Sequence, residues 1–206
     1  SCGVFLGRSA GAYSTGTENI HVGVNAGRRG NGCRNVFIGQ YTANSANTGC
    51  CNVFLGQCAG HASPSGNCNI FLGFRAGCLT ESSNNVFLGT LAGAKVTTGT
   101  YNVVLGYNSG NACTASCNIF LGKGVAQCAT LTGESNIFLG TNAGCAADGG
   151  SGMNVAIGNG AARNINGGGC NVFLGKYAGS GVTSGDNNIG LGYASAGDAT
   201  GSHNIT

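Results

Sequence analysis

Twelve cysteines stand among 206 residues, and thiols in such number do one of three things: they pair, they hold metals, or they attack. Their spacing favours pairing. Cys33 and Cys50 are 17 residues apart, as are Cys51 and Cys68, and Cys128 and Cys145. Cys113 and Cys117 flank one short segment and can pair locally, or Cys113 can compete for Cys128. Cys2, Cys58, Cys78 and Cys170 have no obvious partner within the chain, which leaves them as free thiols or as bonds between subunits. Metal binding fits less well, because the chain has no C-x-x-C and no histidine close to a cysteine pair to complete a tetrahedral set. No cofactor is implied. Disulfides point to an oxidising compartment, hence to an extracellular, cell-surface or virion-surface protein.

The remaining reactive side chains are few. The histidines are His21, His61 and His203, and the acids are Glu18, Glu81, Glu134, Asp148, Asp186 and Asp198. General acid–base work needs such groups to converge in a concave site. Here they are scattered singly, so catalysis is not expected.

The 17-residue interval belongs to the whole chain. A phrase close to Asn-(Val/Ile)-Phe-(Leu/Ile)-Gly begins at Asn19, Asn35, Asn52, Asn69, Asn85, Asn102, Asn118, Asn136, Asn154, Asn171, Asn188 and Asn204, with Gly3 in the same register. Consecutive anchors are 16, 17 or 18 residues apart. Self-similarity at one short period predicts a parallel β-solenoid, or β-roll, of about 12 coils forming one repeat domain over residues 1–206. Coils stacked at the ~4.8 Å spacing of neighbouring strands make a rod of roughly 57 Å and bring residues one coil apart within the Cα range that a disulfide accepts.

Counting the asparagine as position 0, position 1 is Val or Ile in all twelve complete coils and position 3 is Leu, Ile or Val. Position 2 is Phe5, Phe37, Phe54, Phe71, Phe87, Phe120, Phe138 or Phe173, but His21, Val104, Ala156 and Gly190 elsewhere. Strand side chains alternate between faces, so positions 1 and 3 share one face and position 2 takes the other. A closed interior punishes Phe-to-Gly or Phe-to-His changes through cavities and unpaired polar groups. This argument puts the aliphatic columns inside, with Val4, Leu6, Val53, Leu55, Val86, Leu88, Ile137 and Leu139 as core, and the Phe column outside. The opposite parity puts Phe inside and the aliphatics out; either way an apolar column faces outward.

Position 4 is Gly in every coil, as expected of a corner that needs positive φ or close backbone approach. A small residue, usually Ala, follows three places later and marks a narrow second side. Asparagines at one corner of successive coils can form a hydrogen-bond ladder, or each can simply favour a turn.

Charged residues make up 7% of the chain and the net charge is +3, without a basic stripe. Nucleic acid is therefore not an expected partner. Glycine numbers 41, yet the regular apolar columns argue against disorder, and the single proline argues against collagen. No apolar run approaches the ~18 residues of a membrane span, and no leader pattern is present. The chain starts at Ser1 and both its ends lie in register with the repeat, which reads as a processed product or a segment of a longer array with uncapped, stackable ends.

With the repeat laid out, Asn154-Val155-Ala156-Ile157-Gly158 resembles the S-V-A-I-G core of YadA-like, haemagglutinin-type head repeats in trimeric autotransporter adhesins. Asn52 to Gly60 and Asn171 to Gly179 look like the N-V-F-I-G-x-x-A-G runs of phage and virus tail-fibre proteins. The resemblance implies a left-handed parallel β-roll, extracellular or virion display, and trimeric assembly.

Chemistry points the same way. Eight outward Phe side chains at ~100 Å² each would make a patch of roughly 800 Å², more than a monomer leaves bare. The expected function is a structural subunit of an extracellular fibre whose partner is itself, reinforced by disulfides. The alternative is an adhesin head or viral fibre shaft binding a cell-surface or matrix receptor. Ice binding is a third reading, but the best threonine column, four before the anchor, is interrupted by Asn31, Glu81, Gly150 and Gly167.

Overall fold

The computed structural model describes residues 2–206 except 46, 128–129, 148–149, 151 and 198–200. Twelve parallel strands, one per repeat, form a β-solenoid of about eleven turns, with no helix among the described residues. The chain divides into two compact units, Ser1–Asn102 and Val103–Thr206. The first carries β1 (Val4–Leu6), β2 (Ile20–Val22), β3 (Val36–Ile38), β4 (Val53–Leu55), β5 (Ile70–Leu72) and β6 (Val86–Leu88). The second carries β7 (Val103–Leu105), β8 (Ile119–Leu121), β9 (Ile137–Leu139), β10 (Val155–Ile157), β11 (Val172–Leu174) and β12 (Ile189–Leu191).

Each strand is three residues long because the backbone turns sharply on either side of it. Position 4, always Gly, has φ between +114° and +141°, a region that L side chains avoid. A Cβ on Gly56 would also stand 2.5 Å from the carbonyl oxygen of Gly73 in the next lap. The residue before each anchor is left-handed as well, with φ of 57–65° from Glu18 to His203, although none of the twelve is glycine. All twelve are exposed, so their Cβ atoms meet no wall.

Laps are held in register by backbone hydrogen bonds running alternately to the lap before and the lap after. In the first unit Cys58 N donates to Gln40 O at 3.0 Å, while Gly60 N donates to Ala76 O at 2.9 Å. Strand pairing is in step with the repeat, as in Val53↔Ile70 and Leu55↔Leu72, and in the second unit Val155↔Val172 and Ile157↔Leu174.

The asparagines do form a ladder. In the first unit the Oδ1 of one anchor accepts the backbone N–H of the next: Asn19 from Asn35 (2.8 Å), Asn35 from Asn52 (2.8 Å), Asn52 from Asn69 (2.9 Å), Asn69 from Asn85 (2.9 Å) and Asn85 from Asn102 (2.9 Å). The second unit repeats this from Asn118 through Asn136, Asn154, Asn171 and Asn188 to Asn204 at 2.8–3.0 Å. Several Nδ2 groups donate across the lap boundary too, as from Asn52 to Gly66 O at 2.8 Å, whereas the buried Nδ2 of Asn188 has no partner. The anchors are buried, Asn204 partly so, and these bonds offset the desolvation of their amides.

The strand parity is the reverse of the one favoured by column tolerance. Phe37, Phe54, Phe71, Phe87, Phe120, Phe138 and Phe173 are wholly buried, and Phe5, covered by one neighbouring lap, is 41% exposed. A lap with an aromatic residue at position 2 encloses one ring, and where adjoining laps both carry one the rings lie over each other. Centroids are 5.1 Å apart for Phe37–Phe54, 4.5 Å for Phe54–Phe71 and 5.0 Å for Phe71–Phe87 in the first unit, and 5.6 Å for Phe120–Phe138 in the second. Val4, Leu6, Val53, Leu55, Val86, Leu88, Ile137 and Leu139, expected in the core, lie on the outer face instead, half-buried or exposed.

The core tolerates changes at position 2 because its filling is shared across the lap. Position 11 faces the same interior: a Cβ on Gly30 would lie 3.5 Å from the His21 ring. This column holds Ser63, Thr80 and Ala147 in laps whose position 2 is Phe54, Phe71 and Phe138 and Val96 and Val182 in those of Phe87 and Phe173, but the larger Ile165 where position 2 shrinks to Ala156. Ala156 and Ile165 are both wholly buried. His21 keeps the stack aromatic, 5.0 Å from Phe37 and 13° from parallel, but neither ring nitrogen has a hydrogen-bond partner.

Candidate assembly surface

Reversing the parity moves the apolar face rather than removing it. The outer face of each unit's sheet is made of two aliphatic columns, positions 1 and 3, and no polar side chain enters either. Three-residue strands with glycine corners fix where these side chains stand. In-register parallel pairing places Ile70 beside Val53 and Val86, and Leu72 beside Leu55 and Leu88. In the first unit Ile70 is 44% and Leu72 46% exposed; in the second, Ile119 is 41% and Leu121 46% exposed. The Phe residues expected to form the interface contribute nothing to this face; Phe5 is exposed only because a single lap covers its ring.

A second exposed column runs along the left-handed corner before each anchor. It carries unlike side chains, among them Arg34, Cys51, Asn84 and Tyr101 in the first unit and Met153, Cys170 and His203 in the second, all on nearly the same backbone geometry. Arg34 and Glu18, one lap apart there, form an ion pair at 2.8 Å.

Cys2, Cys33, Cys50, Cys51, Cys58, Cys68, Cys78, Cys113, Cys117 and Cys170 are free thiols. Cys33 and Cys50 occupy the same place in adjoining laps, and the backbone N–H of Cys33 donates to Cys50 Sγ at 3.1 Å. Cys51 and Cys68 are exposed on left-handed corners of adjoining laps. Cys113 is buried, its thiol donating to Ala115 O at 3.6 Å, and burial pushes its pKa up to about 11. Cys117, its suggested local partner, is exposed. Cys128 lies outside the described residues, and with it the pair Cys128–Cys145; Cys145 is buried.

A hollow of about 250 Å³ opens beside the turn of β4's lap, lined by Gln57, Cys58, His61, Phe74, Arg75 and Cys78. Burial, and then the neighbouring Cys78, raise the Cys58 pKa, which leaves it a poor nucleophile at neutral pH. Among the described residues no three His, Cys, Asp or Glu side chains are arranged to hold a metal ion. No helix there is long and apolar enough to cross a membrane. His21 is in the core, His61 borders the hollow and His203 is exposed beside Asn187. Asp148 and Asp198 are outside the described residues.

No protein-family model, no curated protein and no solved structure matches the chain.

Proposed function

We propose that this chain is a structural subunit of an extracellular fibre, associating with copies of itself through the two aliphatic columns on the outer face of its strands. The observation that carries this reading is that these columns are unbroken and face solvent. At about 60 Å² per side chain, the twelve outward aliphatics of one unit present roughly 700 Å² of apolar surface. A typical monomer's largest apolar patch is about 300–600 Å², and a standard interface buries about 800 Å² per partner. A second copy is the occupant that fits best. It repeats at the same rise per lap, so the two sets of side chains stay in step, whereas a partner of another pitch falls out of register after a few laps. Cysteines in adjoining laps are available to reinforce the subunit in an oxidising compartment.

An adhesin head or virion fibre shaft is the second reading. It is favoured by the exposed corner column, whose varied side chains on constant backbone suit the display of a binding surface toward a cell-surface or matrix receptor.

Sedimentation and negative-stain microscopy of the full chain test the first reading. It requires defined oligomers or filaments that persist in high salt, since the contact is apolar. A monodisperse monomer at micromolar concentration rules it out.

A further inference from the structure

Two positions before the anchor, side chains lean back onto the preceding lap. Ser83 Oγ accepts from Asn67 N at 2.9 Å, Asn67 Oδ1 from Cys50 N at 2.7 Å, and Cys50 Sγ from Cys33 N at 3.1 Å. One lap earlier, Thr17 Oγ1 donates to Cys33 Sγ at 3.4 Å. Both sulfurs thus accept a hydrogen bond, Cys50 Sγ from the Cys33 backbone, which draws it toward Cys33, and Cys33 Sγ from the Thr17 hydroxyl, which favours its anion. The two residues lie one lap apart, at the ~4.8 Å strand spacing and inside the 4.4–6.8 Å Cα range of disulfides. Both are half-exposed, so a small reagent can reach them.

We propose that Cys33 and Cys50 form a redox clasp between adjoining laps, with Cys33 as the attacking thiolate and a low-molecular-weight disulfide of the glutathione type as oxidant. Cys33 thiolate attacks one sulfur of the small disulfide, forming a mixed disulfide and releasing a small thiolate, which takes up the proton that Cys33 gave to solvent. Cys50, deprotonated in turn, attacks Cys33 Sγ. The Cys33–Cys50 bond forms as the second small thiolate leaves and is protonated. Two protein thiols lose two electrons, and one small disulfide becomes two thiols. The direction of the Cys33 pKa agrees: the Thr17 hydrogen bonds lower it most, with Cys50 and the Arg34 charge acting the same way. A thiol with more thiolate at ambient pH attacks first.

The clasp lies in the turn and not on the aliphatic face, so it stands or falls separately from the assembly reading. The test treats the fully reduced chain with oxidised glutathione and maps adducts by mass spectrometry of non-reduced digests. Expected products are an early glutathione adduct on Cys33 and then a Cys33–Cys50 cross-linked peptide. In Cys50→Ser the Cys33 adduct should accumulate. In Cys33→Ser the adduct on Cys50 should form at least fivefold more slowly, and Thr17→Val should slow Cys33 labelling severalfold while leaving exposed Cys51 unchanged. Protection of buried Cys113 from alkylation in every variant checks that the fold is intact. Cys33 labelled no faster than Cys51 or Cys68, or a cross-link from Cys33 to any other cysteine, overturns the proposal.

Discussion

His21 shows how one residue can tax a core without breaking it. It stacks on Phe37 and meets a tilted Phe5 ring, with two unpaired nitrogens, and burial holds its pKa down to about 4, from the ordinary 6.5. The sign follows from proton counting. Between pH 6.5 and about 4 the unfolded chain binds a proton at this site that the folded chain refuses. The His21 contribution to stability is therefore complete above pH 6.5 and declines as pH falls, by at most about 1.4 kcal/mol per pH unit, until about pH 4. His21→Phe should stabilise the chain by about 1–3 kcal/mol at pH 7.5, by removing unpaired buried nitrogens. That gain should grow at pH 4.5, which denaturant titrations of both proteins at the two pH values would measure. The same residue explains the failed parity argument. A histidine among phenylalanines is here not tolerance at a surface but an aromatic ring kept in an aromatic stack.

Within a lap, the short strand and its corners were legible in the sequence: the period, the invariant glycine and the asparagine anchors each carried through to positive φ and to hydrogen bonds. The left-handed corner before each anchor was not, because its side chains face open solvent and no glycine is demanded there. The interior was not legible either. Positions 2 and 11 face one interior, a relation that no single column carries, although Ile165 opposite Ala156 signals it. This sharing is testable. Ile165→Ala should cost about 2–4 kcal/mol by opening a cavity, and Ala156→Phe about 1–3 kcal/mol by overpacking. The double variant recreates the Phe138 and Ala147 arrangement of the preceding lap and should recover at least 1 kcal/mol of their sum. Additive losses in thermal or denaturant unfolding would mean that the two side chains do not fill one space.

At the scale of the molecule, that an apolar face would be exposed was legible from alternation alone, but which column formed it was decided by packing that only the structure displays. The assembly reading then has a direct consequence. Ile70→Lys with Leu72→Lys places two charges on the outer face of β5, where they face water in the isolated chain and are desolvated in an association. The pair should change folding stability by less than about 1 kcal/mol while weakening self-association at least tenfold. Analytical ultracentrifugation, with circular dichroism to confirm the fold, distinguishes this from general destabilisation.

Because each lap leans only on its neighbours, the laps of a unit can come away one at a time like thread from a bobbin. Every 17-residue turn that peels off frees about 55–60 Å of extended chain. Pulled from its two termini, a unit should yield in a sawtooth of nearly equal steps, and sealing Cys33 to Cys50 should shorten the record by one tooth.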